Sequence, residues 1–353
     1  MPIGLDIGTY NIIKTIRDDK KNIESTRQIN AFFTIPIEHN FILGMMRETG
    51  VPVVERGNTA YVLGEAATEI ALTMGKEFRR PMEAGVLSIK EREAFDILAV
   101  IVKSMIGKIS ANKEALVYSV PADAINATTN AEYHQRVVQS ILASYKSEGK
   151  TVEAFPINEA YAIIIAELAD KKRTGIGISF GAGLVNVCAA IYSIPVFQFS
   201  IAGSGDKIDE LAANASGETK TFINKAKQKI DLSKEPACAV ERAIVFNYRI
   251  LVEDTLKEIV KGIKAAGSKA KTDNPVDIVI AGGASAPKGF IEFFKKVFSE
   301  VEFPIEVGDI RIAKNPLYSV SVGCLMAAEA REKQNGDNVD ALYEENRKED
   351  KKK

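Results

Sequence analysis

The sequence contains no tryptophan, only two histidines and only three cysteines among 353 residues. Because His39 and His134 are the only histidines, we expect neither a histidine-based metal site nor a catalytic triad. Both side chains should lie at the protein surface or at the boundary between surface and core. Cys188, Cys238 and Cys324 lie far apart, which argues against a disulfide scaffold and against zinc-ligand spacing. Sparse, odd-numbered cysteines favour a reducing cytoplasm.

Long apolar runs and an excess of either charge are also missing. No run approaches the roughly 20 residues that span a bilayer. A strand pattern begins at Ile3 without a preceding basic segment, so we expect no signal peptide, no membrane segment and a cytoplasmic protein. Lysine and arginine total 46 against 47 acidic residues, a net charge of -1. This balance gives no electrostatic reason to expect nucleic acid as a partner.

Strand and helix patterns alternate along the chain. Residues 3–7 and 10–16 predict two strands around a Gly-Thr turn, and residues 175–180 and 184–191 predict a second hairpin. Because each half opens with such a hairpin, the pattern indicates an α/β protein with two related lobes. Further strands are predicted at 116–121, 152–155, 196–201 and 276–281, and helices at 64–75, 90–107, 127–148, 159–171, 287–298 and 319–332.

The two hairpins also suggest where one lobe ends and the other begins. The predicted division is lobe I at 1–156 and 319–333, with a small strand-rich insertion at about 31–76, and lobe II at 157–318, with a helical insertion at about 205–270. Residues 334–353 are charged and contain few apolar side chains. That composition predicts a disordered tail, because it cannot bury a core.

The first candidate site is the glycine turn at residues 4–11. Glycine lets backbone N–H groups approach phosphate oxygens, and a tight hairpin directs several of them to one side. Thr9 and Asn11 add hydrogen-bond donors. Asp6 at the strand end can hold a divalent cation or its waters, as a hard cation requires.

Two later glycine turns could complete such a site. Residues 179–183 can clasp phosphates from the other side, and residues 279–285 allow flat packing against a ribose or base at the start of a helix. Each turn taken alone is more simply explained as an ordinary tight turn. The order and spacing of the three turns are the specific signal.

Further segments follow in a fixed order at 80–86, 156–162, 205–210, 315–317 and 322–324. Together with the first turn they resemble the actin-like ATPase superfamily (the actin/DnaK/sugar-kinase fold), most nearly bacterial actins of the MreB and MamK type. The resemblance extends from residue 3 to about residue 330. It implies an α/β, two-lobe, ribonuclease H-like fold with a nucleotide cleft between the lobes.

The resemblance also implies roles for individual residues, with ATP or ADP and Mg²⁺ as cofactors. Glu159 stands where the family places the residue that orients the attacking water, and Asp6 would organise the water shell of the metal. The phosphate contacts would come from Gly8, Thr9, Asn11, Ser179, Gly181, Ala182 and Gly183. The remaining nucleotide contacts would come from Gly205, Asp206, Asp209, Asn224, Lys227, Gly282, Gly283 and Ala284.

One departure from the family pattern concerns the second turn. The family usually begins this loop with aspartate, followed by glycines and threonine, and the corresponding places here are Ser179, Ala182, Leu184 and Val185. Serine binds water without carrying a charge, so metal affinity and hydrolysis should both be weakened. We therefore expect at most a weak ATPase.

Three functions remain open at the level of sequence. The first is an ATPase that assembles with itself into cytoskeletal filaments, with slow hydrolysis. The second is a non-catalytic, nucleotide-dependent switch or scaffold of the same fold, which Ser179 favours. The third is a small-molecule kinase, for which no acid or base in lobe I stands out. Fold alone does not decide among them.

Overall fold

The computed structural model describes residues 1–110, 112–270 and 272–350. In chain order, its strands are β1 (Ile3–Ile7), β2 (Asn11–Arg17), β3 (Ile23–Ile29), β4 (Phe32–Pro36), β5 (Val53–Arg56), β6 (Thr59–Leu63), β7 (Met82–Glu83), β8 (Val86–Leu87), β9 (Lys113–Val120), β10 (Lys146–Ser147), β11 (Lys150–Asn158), β12 (Gly175–Phe180), β13 (Leu184–Ile191), β14 (Ile194–Ala202), β15 (Val276–Ala281) and β16 (Val307–Ile312). Its helices are α1 (Asn40–Glu48), α2 (Glu65–Thr73), α3 (Ala94–Ile106), α4 (Ala131–Ala143), α5 (Glu159–Glu167), α6 (Gly205–Ser216), α7 (Lys220–Lys229), α8 (Ala239–Ala266), α9 (Phe290–Phe298) and α10 (Ser319–Asp350).

Two mixed sheets organise the chain, and we call the parts built on them lobe I and lobe II. The lobe I sheet has the order β10-β11-β9-β1-β2-β3, and the lobe II sheet has the order β14-β13-β12-β15-β16. In each sheet an antiparallel hairpin, β1–β2 or β12–β13, lies beside a parallel strand, β9 or β15. The two related lobes expected from the sequence are therefore present, while the predicted lobe boundaries stay a prediction.

Separate apolar cores fill the two lobes, and a third lies between the sheets. The third core combines α5 and α10 with inward residues of both sheets, such as Val117 of β9 and Val279 of β15. Strands β12, β13 and β15 are almost entirely buried. They are covered on both faces, which explains their continuous apolar sequences.

The two helices between the sheets approach at glycines. A Cβ at Gly323 of α10 would lie 1.9 Å from the Ala162 carbonyl oxygen of α5, and one at Gly177 of β12 would lie 2.4 Å from the Ala160 carbonyl oxygen. A Cβ at Gly4 of β1 would lie 2.2 Å from the Ser321 carbonyl oxygen. Both helices thus pack backbone against backbone, which only glycine permits at these positions.

Some elements differ from the sequence-based expectations. The insertion at about 31–76 holds strands β4, β5 and β6, but also helix α1. Helix α4 is shorter than the predicted 127–148: it begins after the Asn130 cap and ends at Ala143, and the following residues form the β10–β11 hairpin, which turns at Gly149 (φ 80°). Strands β3 and β16 were not predicted. None of the described helices has both the length and the apolar character that a bilayer-spanning helix requires.

The charged C-terminal segment also differs. Composition predicts disorder from residue 334, whereas α10 continues through Asp350. The segment contains Ala, Leu, Glu, Lys and Arg, which are good helix formers even when a sequence buries little apolar surface. Residues 351–353 of the predicted tail lie outside the described residues.

His134 was expected at the surface or its boundary, and this expectation is wrong. The side chain is fully buried on α4, where its Nδ1 accepts a hydrogen bond from the Leu87 backbone N–H at 3.2 Å. Burial lowers the pKa of His134 to about 4, because the imidazolium ion would lose its hydration.

Stability should therefore fall in acid. The unfolded chain takes up a proton at His134 below pH 6.5, whereas the folded chain does so only near pH 4. The stabilisation is complete above pH 6.5 and is lost as the pH falls towards 4, by about 3 kcal/mol over the whole window. In urea unfolding, the free energy of unfolding of His134→Gln should change less with pH over that window than that of the parent. The variant His39→Gln, at an exposed position, should follow the parent. If the free energy of unfolding changed equally with pH in His134→Gln and in the parent, this prediction would be contradicted.

Candidate functional site

A cavity of about 810 Å³ opens between lobe I and lobe II. Its volume is within the usual range for small-molecule and cofactor sites. Every residue assigned to the candidate site from the sequence lines it, namely Asp6, Gly8, Thr9, Asn11, Glu159, Ser179, Gly181, Ala182, Gly183, Gly205, Asp206, Asp209, Asn224, Lys227, Gly282, Gly283 and Ala284. Their individual roles stay predictions, but the fold brings them together.

The lobe I loop of the cavity is the turn between β1 and β2. The Gly8 N–H donates to the Asn11 carbonyl at 2.9 Å and closes the turn. The fully buried Asn30 supports it from behind, because its Nδ2 donates to the Gly8 carbonyl at 3.0 Å. The Oδ1 atom of Asn11 is buried and has no partner within the described part of the chain. An acceptor of this kind requires a water or ligand donor.

The lobe II loop is the turn between β12 and β13, and it is bonded to the start of α6. The Gly181 N–H donates to the Leu184 carbonyl at 2.9 Å. The N–H groups of Gly205 and Asp206 donate to the carbonyls of Gly181 and Ala182, at 3.2 and 2.8 Å. The first turn of α6 therefore satisfies its free donors on this loop and fixes the loop against the helix.

The lobes touch each other beside these loops. The β7–β8 hairpin of lobe I turns at Ala84 (φ 47°) and Gly85 (φ 76°). A Cβ at Gly183 of lobe II would lie 2.7 Å from the Gly85 nitrogen and 2.9 Å from the Ala84 Cα. Nearby, the Arg80 guanidinium donates two hydrogen bonds to the Asp206 carboxylate, at 3.1 and 2.8 Å. This bidentate ion pair bridges the cleft.

Glu159 is the first residue of α5 and faces the cleft from between the lobes. The side chain of Asn158 caps the helix by accepting from the Tyr161 N–H at 3.1 Å. The Ser179 hydroxyl donates to Glu159 Oε1 at 2.6 Å, and the Asn186 amide donates to Oε2 at 2.8 Å. Both oxygens of the carboxylate are thus held by lobe II.

A second carboxylate, Asp6, lies near Glu159 and accepts from the Ser119 hydroxyl at 2.7 Å. Burial raises the pKa of Glu159, the charge of Asp6 raises it further, and the Ser179 hydrogen bond lowers it. Burial also raises the pKa of Asp6, and the Ser119 hydrogen bond opposes this. Two neighbouring like charges that are both half-buried stabilise a proton or a cation between them.

This pair of carboxylates fits a magnesium ion that is bound mainly by phosphate and water. Among the described residues, no group of three or more His, Cys, Asp or Glu could hold a metal ion alone. Magnesium sites commonly use one or two carboxylates together with substrate phosphates and waters. The residues present therefore suit a nucleotide-borne Mg²⁺ and do not suit a metal held by protein ligands alone.

A buried ion pair lies under the lobe II wall of the cleft. The Lys227 ammonium lies 2.7 Å from Asp209 Oδ1 and donates to the Gly205 carbonyl at 2.7 Å. The Asn224 amide donates to Asp209 Oδ2 at 2.8 Å. Burial raises the pKa of Asp209, while Lys227 and Asn224 oppose this. Lys227 thus joins α7 to α6 as well as lining the cavity.

The third glycine turn differs from its prediction in part. Gly282 has φ 95°, and a Cβ there would lie 2.3 Å from the Phe180 carbonyl oxygen, so glycine is required. A Cβ at Gly283 would meet open space, which leaves room for a ligand. No long helix starts at this turn: the chain makes a 3-10 turn over Gly283–Ser285, and α9 begins only at Phe290, after Gly289 (φ 77°).

Sequence reasoning missed several residues of the cavity. It included Arg80 in a resembling segment but gave it no role, because its partner Asp206 is 126 residues away. It also missed Asn186, although a lone polar residue in the apolar strand LVNVCAAI is a usable signal. The other unassigned polar residues that line the cavity include Tyr10, Arg27, Glu65, Thr68, Glu69, Glu77, Glu83, Lys207, Glu210, Lys220, Thr221 and Gln228.

Comparison with known proteins relates this geometry to a family. The family model described as Volactin matches residues 1–328. No curated protein matches the chain in sequence.

Solved structures resemble the chain along most of its length. A structure of the MamK double helical filament is 18% identical, with a TM-score of 0.70, and covers 93% of this chain and 98% of that one. MreB5 of Spiroplasma citri bound to ADP is 15% identical, with a TM-score of 0.61 and coverages of 96% and 98%. The ethanolamine utilization protein EutJ from Carboxydothermus hydrogenoformans is 13% identical, with a TM-score of 0.51 and coverages of 92% and 88%. The matches to MamK and MreB5 confirm the actin-like two-lobe fold.

Proposed function

The chain belongs to the Volactin family, and from this premise we propose that it is an actin-like protein that binds ATP or ADP with Mg²⁺ and assembles with itself into filaments. The observation that carries the proposal is the cavity in which glycine loops of both lobes meet around two half-buried carboxylates. The similar structures support it, because MreB5 is bound to ADP and MamK forms a double helical filament.

The two loops would hold the phosphates. The backbone of the Gly8 and Gly181 turns would approach the phosphate oxygens, and the Thr9 hydroxyl, which accepts from the Gly85 N–H at 3.0 Å, keeps its own proton for donation. Asp6 would hold waters of a bound Mg²⁺. That ion would neutralise charge on the phosphates.

We propose that hydrolysis is slow. Glu159 can accept a proton or hydrogen bond from a water beside the terminal phosphate. Ser179 supplies no second charge there, and its hydroxyl proton is already donated to Glu159. The same observation favours a second function, in which the chain is a nucleotide-dependent switch that binds without turnover.

Sedimentation and negative-stain imaging with ATP, with ADP and without nucleotide would test assembly. We expect nucleotide-dependent pelleting and visible filaments. A parallel phosphate-release assay separates the ATPase from the switch, because only the ATPase gives turnover above a no-protein control. Soluble monomers under all three conditions would contradict the filament proposal.

The ion pair across the cleft should slow nucleotide release. Arg80→Ala removes both hydrogen bonds to Asp206 and leaves lobe closure to the hairpin contact alone. Since a partly exposed pair contributes about 1 kcal/mol, we expect release of a fluorescent ADP analogue to become roughly fivefold faster in stopped-flow chase experiments. Arg136→Ala removes an exposed pair with Glu132 and should leave release unchanged. Equal release from Arg80→Ala and Arg136→Ala would show that the Arg80 pair does not control opening.

A further inference from the structure

Three buried polar residues form a row across the lobe II sheet, and we call Ser179, Asn186 and Ser200 the polar row. Ser179 of β12 pairs with Asn186 of β13, and Asn186 pairs with Ser200 of β14. Directly paired residues on neighbouring strands project to the same face of a sheet. Each member is 1% exposed or less.

A connected series of hydrogen bonds joins the polar row to Glu159. The Ser200 hydroxyl donates to Asn186 Oδ1 at 2.5 Å, and Asn186 Nδ2 donates to Glu159 Oε2 at 2.8 Å. The Ser179 hydroxyl donates to Glu159 Oε1 at 2.6 Å. Each of these hydrogen bonds is directed towards the carboxylate.

The surroundings of the row are apolar. Cys188 and Ala190 on β13 and Ala281 on β15 belong to the core that α5 covers. A buried amide and hydroxyl cost free energy in such a layer unless all their groups are paired. Apolar side chains would fill this layer without that cost, so packing alone does not account for Asn186 and Ser200.

We propose that Asn186 and Ser200 are positioning residues. They fix the direction in which the Glu159 carboxylate accepts a proton or hydrogen bond from water. This inference rests on the proposed function, because it assigns the row to the same cleft. Ser179 and Asn186 each occupy one carboxylate oxygen, so the remaining lone pairs keep a fixed direction.

Ser200 acts through the orientation of the Asn186 amide. An asparagine side chain can turn over and exchange its oxygen and nitrogen positions. The Ser200 hydroxyl donates to the amide oxygen, which leaves Nδ2 on the Glu159 side. Because a carboxylate only accepts, Glu159 itself keeps Nδ2 on its side. Without the Ser200 hydroxyl, the buried amide oxygen would lose its donor, the amide would be less restrained in rotation, and its hydrogen bond to Glu159 would weaken.

Steady-state ATP turnover of Ser200→Ala and Asn186→Ala gives the first test. Because small displacements of a catalytic group reduce rates by up to roughly 100-fold, we expect kcat to fall about tenfold in Ser200→Ala and further in Asn186→Ala. KM and ADP affinity of Ser200→Ala should remain within about twofold, because Ser200 does not line the cavity. Thr255→Val is the matched control: it removes a buried hydroxyl that donates only to the Leu251 carbonyl on α8, and it should behave as the parent.

Carbon-13 NMR of glutamate carboxyl groups tests the inference without relying on turnover. The Glu159 signal is assigned by its loss in Glu159→Gln. We expect Ser200→Ala to shift this signal although Ser200 does not touch Glu159, and Thr255→Val to leave it in place. An unmoved signal in a folded Ser200→Ala protein would overturn the inference. If the parent binds nucleotide but hydrolyses none, the hydrolytic part of the proposed function fails, and the carboxyl signal alone then decides whether the row positions Glu159.

Discussion

Replacing Gly323 with alanine is expected to lower the free energy of unfolding by roughly 3 kcal/mol. The new Cβ would lie 1.9 Å from the Ala162 carbonyl oxygen and 2.9 Å from the Ala162 Cα. Both atoms belong to the backbone of α5, which is itself held against β12 at Gly177. Neither helix can move without opening the core between the sheets, so the overlap must be relieved by loss of packing.

The sign of this effect is informative, because alanine usually stabilises a helix relative to glycine by about 1 kcal/mol. At Gly44 in α1, an added methyl group would have no atom within 4 Å. Gly44→Ala should therefore raise stability slightly, while Gly323→Ala should lower it. Urea denaturation of both variants measures the difference. A stabilised Gly323→Ala protein would show that the two helices are further apart than the structure places them.

The second large effect is expected on hydrolysis. Glu159→Ala removes the carboxylate that faces the cleft, and a single acid–base group contributes about 100-fold or more. We therefore expect kcat to fall by about that factor, with ADP affinity preserved, because Glu159 is proposed to act on water and not on phosphate. Glu69→Ala removes an exposed carboxylate that lines the same cavity and should leave kcat unchanged.

Steady-state phosphate release with saturating Mg·ATP measures this effect. If the parent turns over ATP and Glu159→Ala matches it, the water is oriented by another group, and Asp6 is the first to replace. If the parent itself shows no turnover while binding nucleotide, the switch function is supported in place of the ATPase.

The cleft was predictable because its residues stand in local motifs. Each glycine turn follows a strongly apolar strand, and the hairpin at 175–191 was placed correctly from its two apolar runs around residues 181–183. The candidate residues then converge because both lobes repeat the same strand order. The order of the resembling motifs along the chain, more than any one motif, carried the fold prediction.

Partners far apart in sequence were not predictable in this way. Arg80 finds Asp206 only through the packing of a hairpin of one lobe against a helix of the other. The polar row depends on the register of three strands, which single-strand patterns do not give. Strand β3 escaped prediction because most of its residues are exposed, so its sequence IESTRQI shows little apolar alternation.

Two errors had signals that local reasoning could have used. His134 precedes Val137 and Val138 by three and four positions, so it lies on the apolar face of α4. Gly289 with its positive φ explains why the helix predicted from residue 287 begins only at Phe290. In both cases the surrounding residues, and not the residue type alone, carried the information.

Isothermal titration calorimetry with Mg·ADP tests the central claim, nucleotide binding in the cleft, most directly. The parent should bind one nucleotide per chain. Gly183→Val should bind far more weakly, because even its Cβ would lie 2.7 Å from both Thr9 Oγ1 and the Gly85 nitrogen and would force the two loops apart. Absence of binding heat for the folded parent with ADP and with ATP, or equal affinity in Gly183→Val, would contradict the assignment of this cleft as the nucleotide site.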